Sequence, residues 1–119
     1  MPDYLLLLYR SDAEAASPER GADGPLWDEL DRSLREAGLL MTGARLHPVT
    51  TATTVRVRSG ELELTDGPFA TTKEVLVGYY QIRCADLDEA LRQAALVPLA
   101  RYGSVEVRPV VHPGPSPAA

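Results

Sequence analysis

An aspartate breaks a strand pattern at Asp66, in the stretch LELTDGPFATTKE. The residues before it alternate apolar and polar, as in a strand with one buried face, and the carboxylate then takes the next inward position. A common structural role, the Asx turn, would need an N–H two residues on, and Pro68 has none. Asp66 therefore either organises its loop through donors farther along the chain or acts as a general base or ligand-orienting carboxylate.

Two other residues could join Asp66 in acid/base chemistry. His47 stands directly before Pro48 and could transfer a proton near neutral pH, or it could simply end a strand as a polar residue. Lys73 is the only lysine of the chain, and it could hold an anionic ligand or form a solvated ion pair with a neighbouring carboxylate. We predict Asp66 and His47 as catalytic residues and Lys73 as a ligand-binding residue.

Polar and aromatic residues alternate along two later strand-like segments. They are Tyr79, Gln81 and Arg83 in the first segment and Glu106 and Arg108 in the second. If the two strands are neighbours, this set lines one face, where it could form an interface, an anion site or ordinary cross-strand ion pairs. We predict ligand binding by Tyr79, Arg83 and Arg108.

No motif indicates a metal or a cofactor. His47 and His112 are far apart in sequence and lack the cysteine pairs or the helical histidine pair of a zinc site. Gly21 and Gly24 lie in a polar loop without the strand–loop–helix context of a phosphate-binding loop. We therefore expect neither a metal nor a cofactor, and we exclude His112, in the terminal tail, as a catalytic candidate.

The composition indicates one globular domain. The chain has 119 residues, 45% of them hydrophobic, which suits one domain with a core and is too short for two. We assign residues 1–111 to this domain and predict a disordered tail at 112–119, which is rich in proline and small residues. The net charge of −5 argues against a nucleic-acid partner, because phosphate binding needs a positive field.

The sequence also predicts a cellular compartment. The apolar run YLLLLY, at 4–9, is too short to span a membrane, and Asp3 precedes it where a signal peptide would carry basic residues. The single cysteine, Cys84, cannot form an internal disulfide, which fits a reducing compartment. We expect a cytoplasmic protein without a membrane partner.

Hydrophobic periodicity predicts an alternating order of strands and helices. The predicted elements are a central strand at 4–9, a helix from 25 to 37, an edge strand at 39–46, a hairpin at 53–65, a helical turn at 71–74, a strand at 75–84, a helix at 86–97 and a strand at 104–111. This order predicts an α+β, ferredoxin-like fold, an antiparallel sheet with both helices on one face. Because strand 4–9 is apolar on both sides, we expect a second copy to cover the other face, giving a homodimer.

Local signals carry finer predictions, among them capping boxes from Thr71 to Glu74 and from Asp86 to Glu89 at the starts of the helical turn and of the helix at 86–97. A two-residue Ser59-Gly60 turn puts Arg58 opposite Glu61. When this pairing continues along the hairpin, oppositely charged residues face each other on one side and aliphatic side chains on the other. Phe69, just after Asp66, is expected to pack against the core.

The segments TATTVRVRSGELELTDGPFATTKEVLVGYYQI, DLDEALRQAA and GSVEVRPV resemble the YCII-related family, in its DGPF-domain branch. The resemblance covers nearly the whole chain and implies a ferredoxin-like dimeric α+β barrel with a cleft between the sheet and the partner. In the founding branch, a histidine on the first helix and an aspartate before a proline after the second helix are thought to be catalytic. This chain has no histidine between Asp23 and Gly38, and Val97 stands before Pro98.

Two functions from different classes follow. The first is a cofactor-free small-molecule enzyme of lyase, isomerase or hydrolase type, with Asp66 as base and His47, Lys73 or a tyrosine assisting in a dimer cleft. The second is a non-catalytic dimeric module that binds a small molecule or assists a transcription factor. Genes of the DGPF branch often lie beside extracytoplasmic-function sigma factors, so the resemblance implies a sigma-factor context for the second function.

Overall fold

The computed structural model describes residues 1–111 of the chain. The tail predicted at 112–119, together with His112, lies outside the described residues. The strands in the described range are β1 Asp3–Arg10, β2 Leu40–Arg45, β3 Thr53–Arg58, β4 Glu61–Asp66, β5 Val75–Arg83 and β6 Ser104–Pro109. The helices are α1 Asp12–Ala15, α2 Gly24–Glu36 and α3 Leu87–Ala95, with short 3₁₀ segments at Pro18–Asp23, Val49–Thr51 and Pro98–Arg101.

Four strands form one antiparallel sheet in the order β2-β5-β1-β6. With α2 between β1 and β2 and α3 between β5 and β6, this is the predicted ferredoxin-like α+β fold. β1 pairs with a neighbour on each side and is central, and β2 is an edge strand, as predicted. The prediction that β5 and β6 are neighbours was wrong, because β1 lies between them and keeps Gln81 and Arg83 one strand away from Glu106 and Arg108.

The core lies between the sheet and the helices. Leu6 and Leu8 of β1 and Ile82 of β5 are between 0% and 3% exposed, and they belong to one buried cluster with Leu30 and Leu34 of α2. The two leucines of α2 are one helical turn apart, so one stripe of the helix meets the sheet. The alternate residues of β1, which point to the other face, are less well covered.

Two predicted helix starts have different outcomes. Asp86 accepts a hydrogen bond from the Glu89 N–H at 2.9 Å, while the Glu89 carboxylate accepts one from the Ala85 N–H at 2.8 Å, so the capping box before α3 is confirmed. The predicted helical turn at 71–74 was wrong, because that segment runs directly into β5. There the carboxylate of Glu74 accepts a hydrogen bond from Ser104 at 2.7 Å instead of capping a helix.

The segment before α2 is more ordered than the polar loop that its sequence predicts. It contains α1 and a 3₁₀ turn, and it ends at Asp23, which is 6% exposed. Arg20 lies 3.4 Å and Arg101 3.5 Å from the Asp23 carboxylate. The Arg20 guanidinium also lies over the ring of Tyr102, at 3.6 Å from its centroid. These contacts fix the start of α2 against the segment before β6.

The hairpin β3–β4 forms a separate two-stranded sheet, which we call the arm, residues 53–66. Its predicted register is confirmed, with Arg58 opposite Glu61 and Val57 opposite Leu62. The turn residues Ser59 and Gly60 have φ of 53° and 77°, as a type I′ turn requires. The arm does not join the main sheet, so its aliphatic side chains gain no cover from it.

An ion pair anchors the face of the sheet opposite the helices. Asp3 is 7% exposed and accepts hydrogen bonds from Arg83 Nε at 2.7 Å, Arg83 Nη2 at 3.3 Å and Gln81 at 3.1 Å. The bond from Arg83 lowers the pKa of the Asp3 carboxyl below its ordinary value, although burial opposes the shift and Gln81 adds to it. The pair links the first residue of β1 to the last residue of β5.

We expect Asp3→Asn to destabilise the protein by about 1 kcal/mol at pH 7, a small value because the Arg83 side chain is partly exposed and solvent screens the pair. Since the folded pKa lies below the unfolded one, near 3.9, the contribution is present above that pH and disappears as the pH falls through the folded pKa. Urea unfolding at several pH values should therefore show the two curves converging in acid.

The matched control is Glu61→Gln, which removes one carboxylate from an exposed position of the arm. It should leave stability within about 0.5 kcal/mol of wild type at each pH. A gap between wild type and Asp3→Asn that stayed constant from neutral pH into strong acid would contradict the electrostatic explanation.

Candidate functional site

A cavity of about 760 Å³ opens on the helix side of the sheet. The carboxyl ends of β1 and β2 and the amino end of β5 meet at one edge, and the first turns of α2 stand above them. We call this space the α2 cavity. Its volume lies in the range of about 300–1,000 Å³ that is typical of small-molecule sites.

One wall of the α2 cavity comes from α2 and is aromatic and acidic. Trp27 packs partly against the core, while Asp28 and Asp31 lie on the same side of the helix. The Asp31 carboxylate forms a salt bridge with Arg35 Nε, 2.9 Å away and one helical turn further along α2. Within the described range, no salt bridge includes Asp28.

The opposite walls carry two guanidinium groups. Arg10 ends β1 and Arg45 ends β2, and neither takes part in a salt bridge within residues 1–111. The Nε atom of Arg10 is buried and has no hydrogen-bond partner among residues 1–111. The Arg45 guanidinium lies over the Trp27 ring, 4.8 Å from its centroid. A buried N–H without a partner is energetically unfavourable, so a hydrogen-bond acceptor bound beside Arg10 would be stabilising.

Tyr80 contributes a phenol to the floor of the α2 cavity. Burial, with a smaller contribution from Asp31, raises the pKa of Tyr80 above its ordinary value, so the hydroxyl stays protonated at neutral pH and can donate a hydrogen bond. Gly43 of β2 makes room for the ring, because a Cβ there would lie 2.8 Å from Tyr80 Cδ1 and 2.9 Å from the Tyr79 carbonyl oxygen. A side chain at position 43 would therefore displace Tyr80 or separate the two strands.

His47 is the predicted catalytic residue that lines the α2 cavity. It follows β2, at a point where the Leu46 N–H still bonds to the Val77 carbonyl at 2.9 Å. This bond extends the contact between the β2 segment and β5 by one residue. The imidazole is exposed, so a molecule in the cavity can reach it.

Asp66 and Lys73 are not among the residues that line the α2 cavity. Asp66 ends β4, is exposed and forms no side-chain hydrogen bond or salt bridge within residues 1–111. The base of the arm is closed by other groups: the Gly67 N–H donates to the Ala52 carbonyl at 2.7 Å, and the Thr54 hydroxyl donates to the Gly67 carbonyl at 2.8 Å. The loop is thus held without the Asp66 side chain.

The other predicted ligand residues lie on one face of the sheet, the face away from the helices. Tyr79 stands opposite Leu7 there, although it is also among the residues that border the α2 cavity. Arg83 is paired with Asp3 on the face of the sheet away from the helices, and Arg108 stands opposite Leu5 on that face. The three residues therefore share a face, but β1 separates Tyr79 and Arg83 of β5 from Arg108 of β6.

Comparison with known proteins agrees with the fold. The model of the YCII-related domain matches residues 3–113, nearly the whole chain. The chain belongs to the YCII-related family. It is also similar to an uncharacterized protein from Rhizobium meliloti (strain 1021), with 41% identity over 122 residues that cover 97% of this chain and 98% of the relative.

Two features do not occur in the described part of this YCII-related chain: a cluster of metal-binding side chains and a membrane-spanning helix. Between residues 1 and 111, no three His, Cys, Asp or Glu side chains are grouped as a metal ion would require. None of the helices in that range combines the length and the apolar character needed to cross a membrane.

Sequence reasoning missed most of the residues of the α2 cavity in this YCII-related chain. Neither Trp27 nor the two arginines, Arg10 and Arg45, are among the predicted site residues. One usable signal was present: Arg10 is the charged residue that ends a continuous apolar strand, so its side chain had to lie at the sheet edge. That Arg10 lies near Trp27 and Tyr80 depends on the order of the strands in the sheet, which no short stretch of sequence indicates.

We expect Asp66→Asn to change the free energy of unfolding by less than about 1 kcal/mol, because the exposed carboxylate has no partner within the described residues. Phe69→Ala is the neighbouring control. Phe69 is 79% exposed, so the prediction that it packs against the core was wrong, and its loss should have an effect below about 0.5 kcal/mol. Thermal and urea unfolding measure both; a loss of several kcal/mol in Asp66→Asn would show that the carboxylate is structural.

Proposed function

We propose that this YCII-related protein binds a small molecule with an anionic group in the α2 cavity. The observation that carries the proposal is the buried Nε atom of Arg10, a residue that borders the cavity and whose Nε has no hydrogen-bond partner within residues 1–111. A buried N–H without an acceptor is unfavourable, and within the same residues no carboxylate forms a salt bridge with Arg10. A bound carboxylate or phosphate would supply that acceptor.

The other walls restrict the ligand further. Arginine presents a planar fork that matches carboxylate and phosphate oxygens, and Arg10 and Arg45 both border the same space. Trp27 and Tyr80 offer aromatic surface for an apolar or planar body. Asp28 stands on the opposite wall and can accept a hydrogen bond from a ligand hydroxyl or amine. The ligand class is therefore a small carboxylate or phosphate ester with an apolar body.

Acid/base catalysis is the enzymatic form of this proposal. His47 borders the cavity and could act as a general acid or base, and the protonated Tyr80 can donate to a developing negative charge. The reaction class is then a cofactor-free lyase, isomerase or hydrolase reaction. Asp66, the other predicted catalytic residue, does not border the cavity of its own chain.

A non-catalytic role is the second candidate, and a specific observation favours it. The founding branch's histidine has no counterpart on α2, Val97 replaces the aspartate, and the predicted partners Asp66 and His47 do not both border the α2 cavity. Binding without turnover would suit a metabolite-responsive accessory protein, including one that acts in the sigma-factor context implied by the resemblance.

The first test is a thermal-shift screen with small carboxylates and phosphate esters, each in aromatic and aliphatic forms. A ligand present at 100 times its dissociation constant should raise the melting temperature by roughly 10 °C. Arg10→Gln and Arg45→Gln should each weaken binding at least about tenfold, because each removes a charge-assisted hydrogen bond.

Arg58→Gln is the matched control, since it removes one positive charge from an exposed position in the arm and should leave the dissociation constant unchanged. Without ligand, Arg10→Gln should be within about 1 kcal/mol of wild type, because the guanidinium has no salt bridge to lose. Stabilisation that is equal in wild type, Arg10→Gln and Arg45→Gln would exclude the α2 cavity as the site.

A second test separates the enzyme from the binding module. The stabilising ligand is incubated with wild-type protein and with His47→Asn, and products are followed by mass spectrometry. The enzymatic form predicts turnover that falls by about 10²-fold or more in His47→Asn while ligand stabilisation is kept. Stabilisation without any product in wild type supports the non-catalytic role.

A further inference from the structure

The α2 cavity is lined by charged groups of both signs. They are the guanidinium groups of Arg10 and Arg45 and the carboxylates of Asp12, Asp28 and Asp31. The two arginines end strands β1 and β2, whereas the three aspartates belong to helices α1 and α2. The basic groups therefore come from the sheet side of the cavity, and the acidic groups come from its helical side.

These positive and negative groups do not pair with each other. Among residues 1–111, no guanidinium nitrogen of Arg10 or Arg45 lies within 4.0 Å of a carboxylate oxygen. In the same range, no salt bridge includes Asp12 or Asp28. The cavity thus presents separate cationic and anionic groups, and a bound molecule can contact both kinds.

Asp31 is the one cavity carboxylate with a salt-bridge partner in the described range. Its partner is Arg35, which does not border the cavity and lies 2.9 Å from it. With Asp31 compensated and histidine counted as neutral, two arginines and two aspartates remain, and their formal charges cancel. A simple anion gains little attraction from such a cavity, because the aspartates repel what the arginines attract. A molecule that carries both charges avoids this repulsion.

The Tyr80 hydroxyl on the cavity floor is influenced by both signs of charge. Burial is the largest cause that raises the pKa of Tyr80, and the negative charge of Asp31 raises it further. The positive charges of Arg45 and Arg35 act in the opposite direction. A ligand that lies over Tyr80 is therefore close to carboxylate and guanidinium groups at the same time.

The remaining walls of the cavity are apolar. Leu8 and Leu99 are 3% and 1% exposed, and Val75 and Val77 of β5 are half-buried. Trp27 adds aromatic surface on the helical side. Apolar groups of a ligand are removed from water against these side chains, which is favourable. The cavity therefore suits a molecule with an apolar body and two opposite charges.

Asp28 and Asp12 differ in how well their charges are already stabilised. Asp12 lies in the first turn of α1, where unpaired backbone amides favour a carboxylate. Asp28 lies beyond the first turn of α2 and lacks this stabilisation. It also directly follows Trp27 on the helical wall. Asp28 is therefore the better partner for a positive group of a ligand whose body contacts Trp27.

We propose that the ligand of the α2 cavity is a small aminocarboxylate with an apolar side chain, whose carboxylate binds Arg10 and whose ammonium group binds Asp28. The inference rests on the proposed function, from which it takes the anion site at Arg10, and it adds recognition of a positive charge. Each end of the ligand then forms a charge-assisted hydrogen bond with a group of opposite sign. Free amino acids and short peptides share this chemistry.

The first experiment compares matched probes by isothermal titration calorimetry. The probes are phenylalanine, hydrocinnamate, which lacks the amine, and phenethylamine, which lacks the carboxylate. Wild type should bind phenylalanine at least about tenfold more tightly than either analogue, because each analogue loses one charge-assisted contact. Leucine, isocaproate and isoamylamine repeat the comparison with an aliphatic body.

A further probe separates the two sources of this chemistry. In glycylphenylalanine the amine and the carboxylate are farther apart than in phenylalanine. Tighter binding of the dipeptide indicates a peptide ligand, and tighter binding of phenylalanine indicates a free amino acid. Either result supports recognition of both charges.

The second experiment repeats the titrations with Asp28→Asn. This variant should bind phenylalanine at least about tenfold more weakly than wild type, because the ammonium group loses its partner. It should bind hydrocinnamate as tightly as wild type or more tightly, since a repelling charge is gone. A purely structural role of Asp28 would weaken binding of both probes alike.

Glu29→Gln is the matched control. It removes a carboxylate from the next residue of α2, which is exposed and does not border the α2 cavity. Its affinities for phenylalanine and hydrocinnamate should equal those of wild type. Without ligand, Asp28→Asn and Glu29→Gln should both melt within about 3 °C of wild type, because both positions are exposed.

The outcomes distinguish this inference from the proposed function. Equal affinity of wild type for phenylalanine and hydrocinnamate, or unchanged phenylalanine binding in Asp28→Asn, would overturn the inference. The proposed function would still stand if Arg10→Gln weakened binding of hydrocinnamate. Absence of binding by every probe, or binding that Arg10→Gln leaves unchanged, would overturn both.

Discussion

The central strand β1 is apolar on both faces, and within residues 1–111 the helices cover one of them. Leu6 and Leu8 are removed from water by α2 and α3, and their burial against Ile82 holds the sheet and helices together. Leu5 and Leu7 point the other way, where residues 1–111 provide no second layer. This difference between the two faces determines on which side of the sheet the core lies.

The α2 cavity lies at the edge of the sheet that the helices do not cover. The segment after β1 turns through α1 and a 3₁₀ segment before α2 begins, and Asp23 is tied there by arginines from both sides of it in sequence. The carboxyl end of β1 therefore stays open beneath the first turns of α2. Polar groups lie at this edge because the strands end there. Burial alters their protonation, and it raises the pKa of the Tyr80 hydroxyl above its ordinary value.

Val97, next to Pro98, is 1% exposed and belongs to the core, so this position contributes no polar group to a site. It does not border the α2 cavity, whose walls carry Arg10, Arg45 and Trp27. A fold shared by related chains can carry different groups at a cavity, because the packing of sheet and helices does not determine which side chains line it.

Local sequence determined the elements whose signals are local. The doubly apolar run of β1, the Asp86 capping box and the Ser59-Gly60 turn each depend on residues a few positions apart, and each prediction was confirmed because propensity, periodicity and turn geometry act at that range. The ferredoxin-like order also followed, since short connections leave few alternatives. Tertiary structure alone decided the rest. It placed β1 between β5 and β6, left the arm outside the main sheet with Phe69 in solvent, and brought Arg10, Trp27, Arg45 and Tyr80 from four elements to one cavity. These outcomes depend on which distant segments become neighbours, and no pattern within one segment encodes that choice.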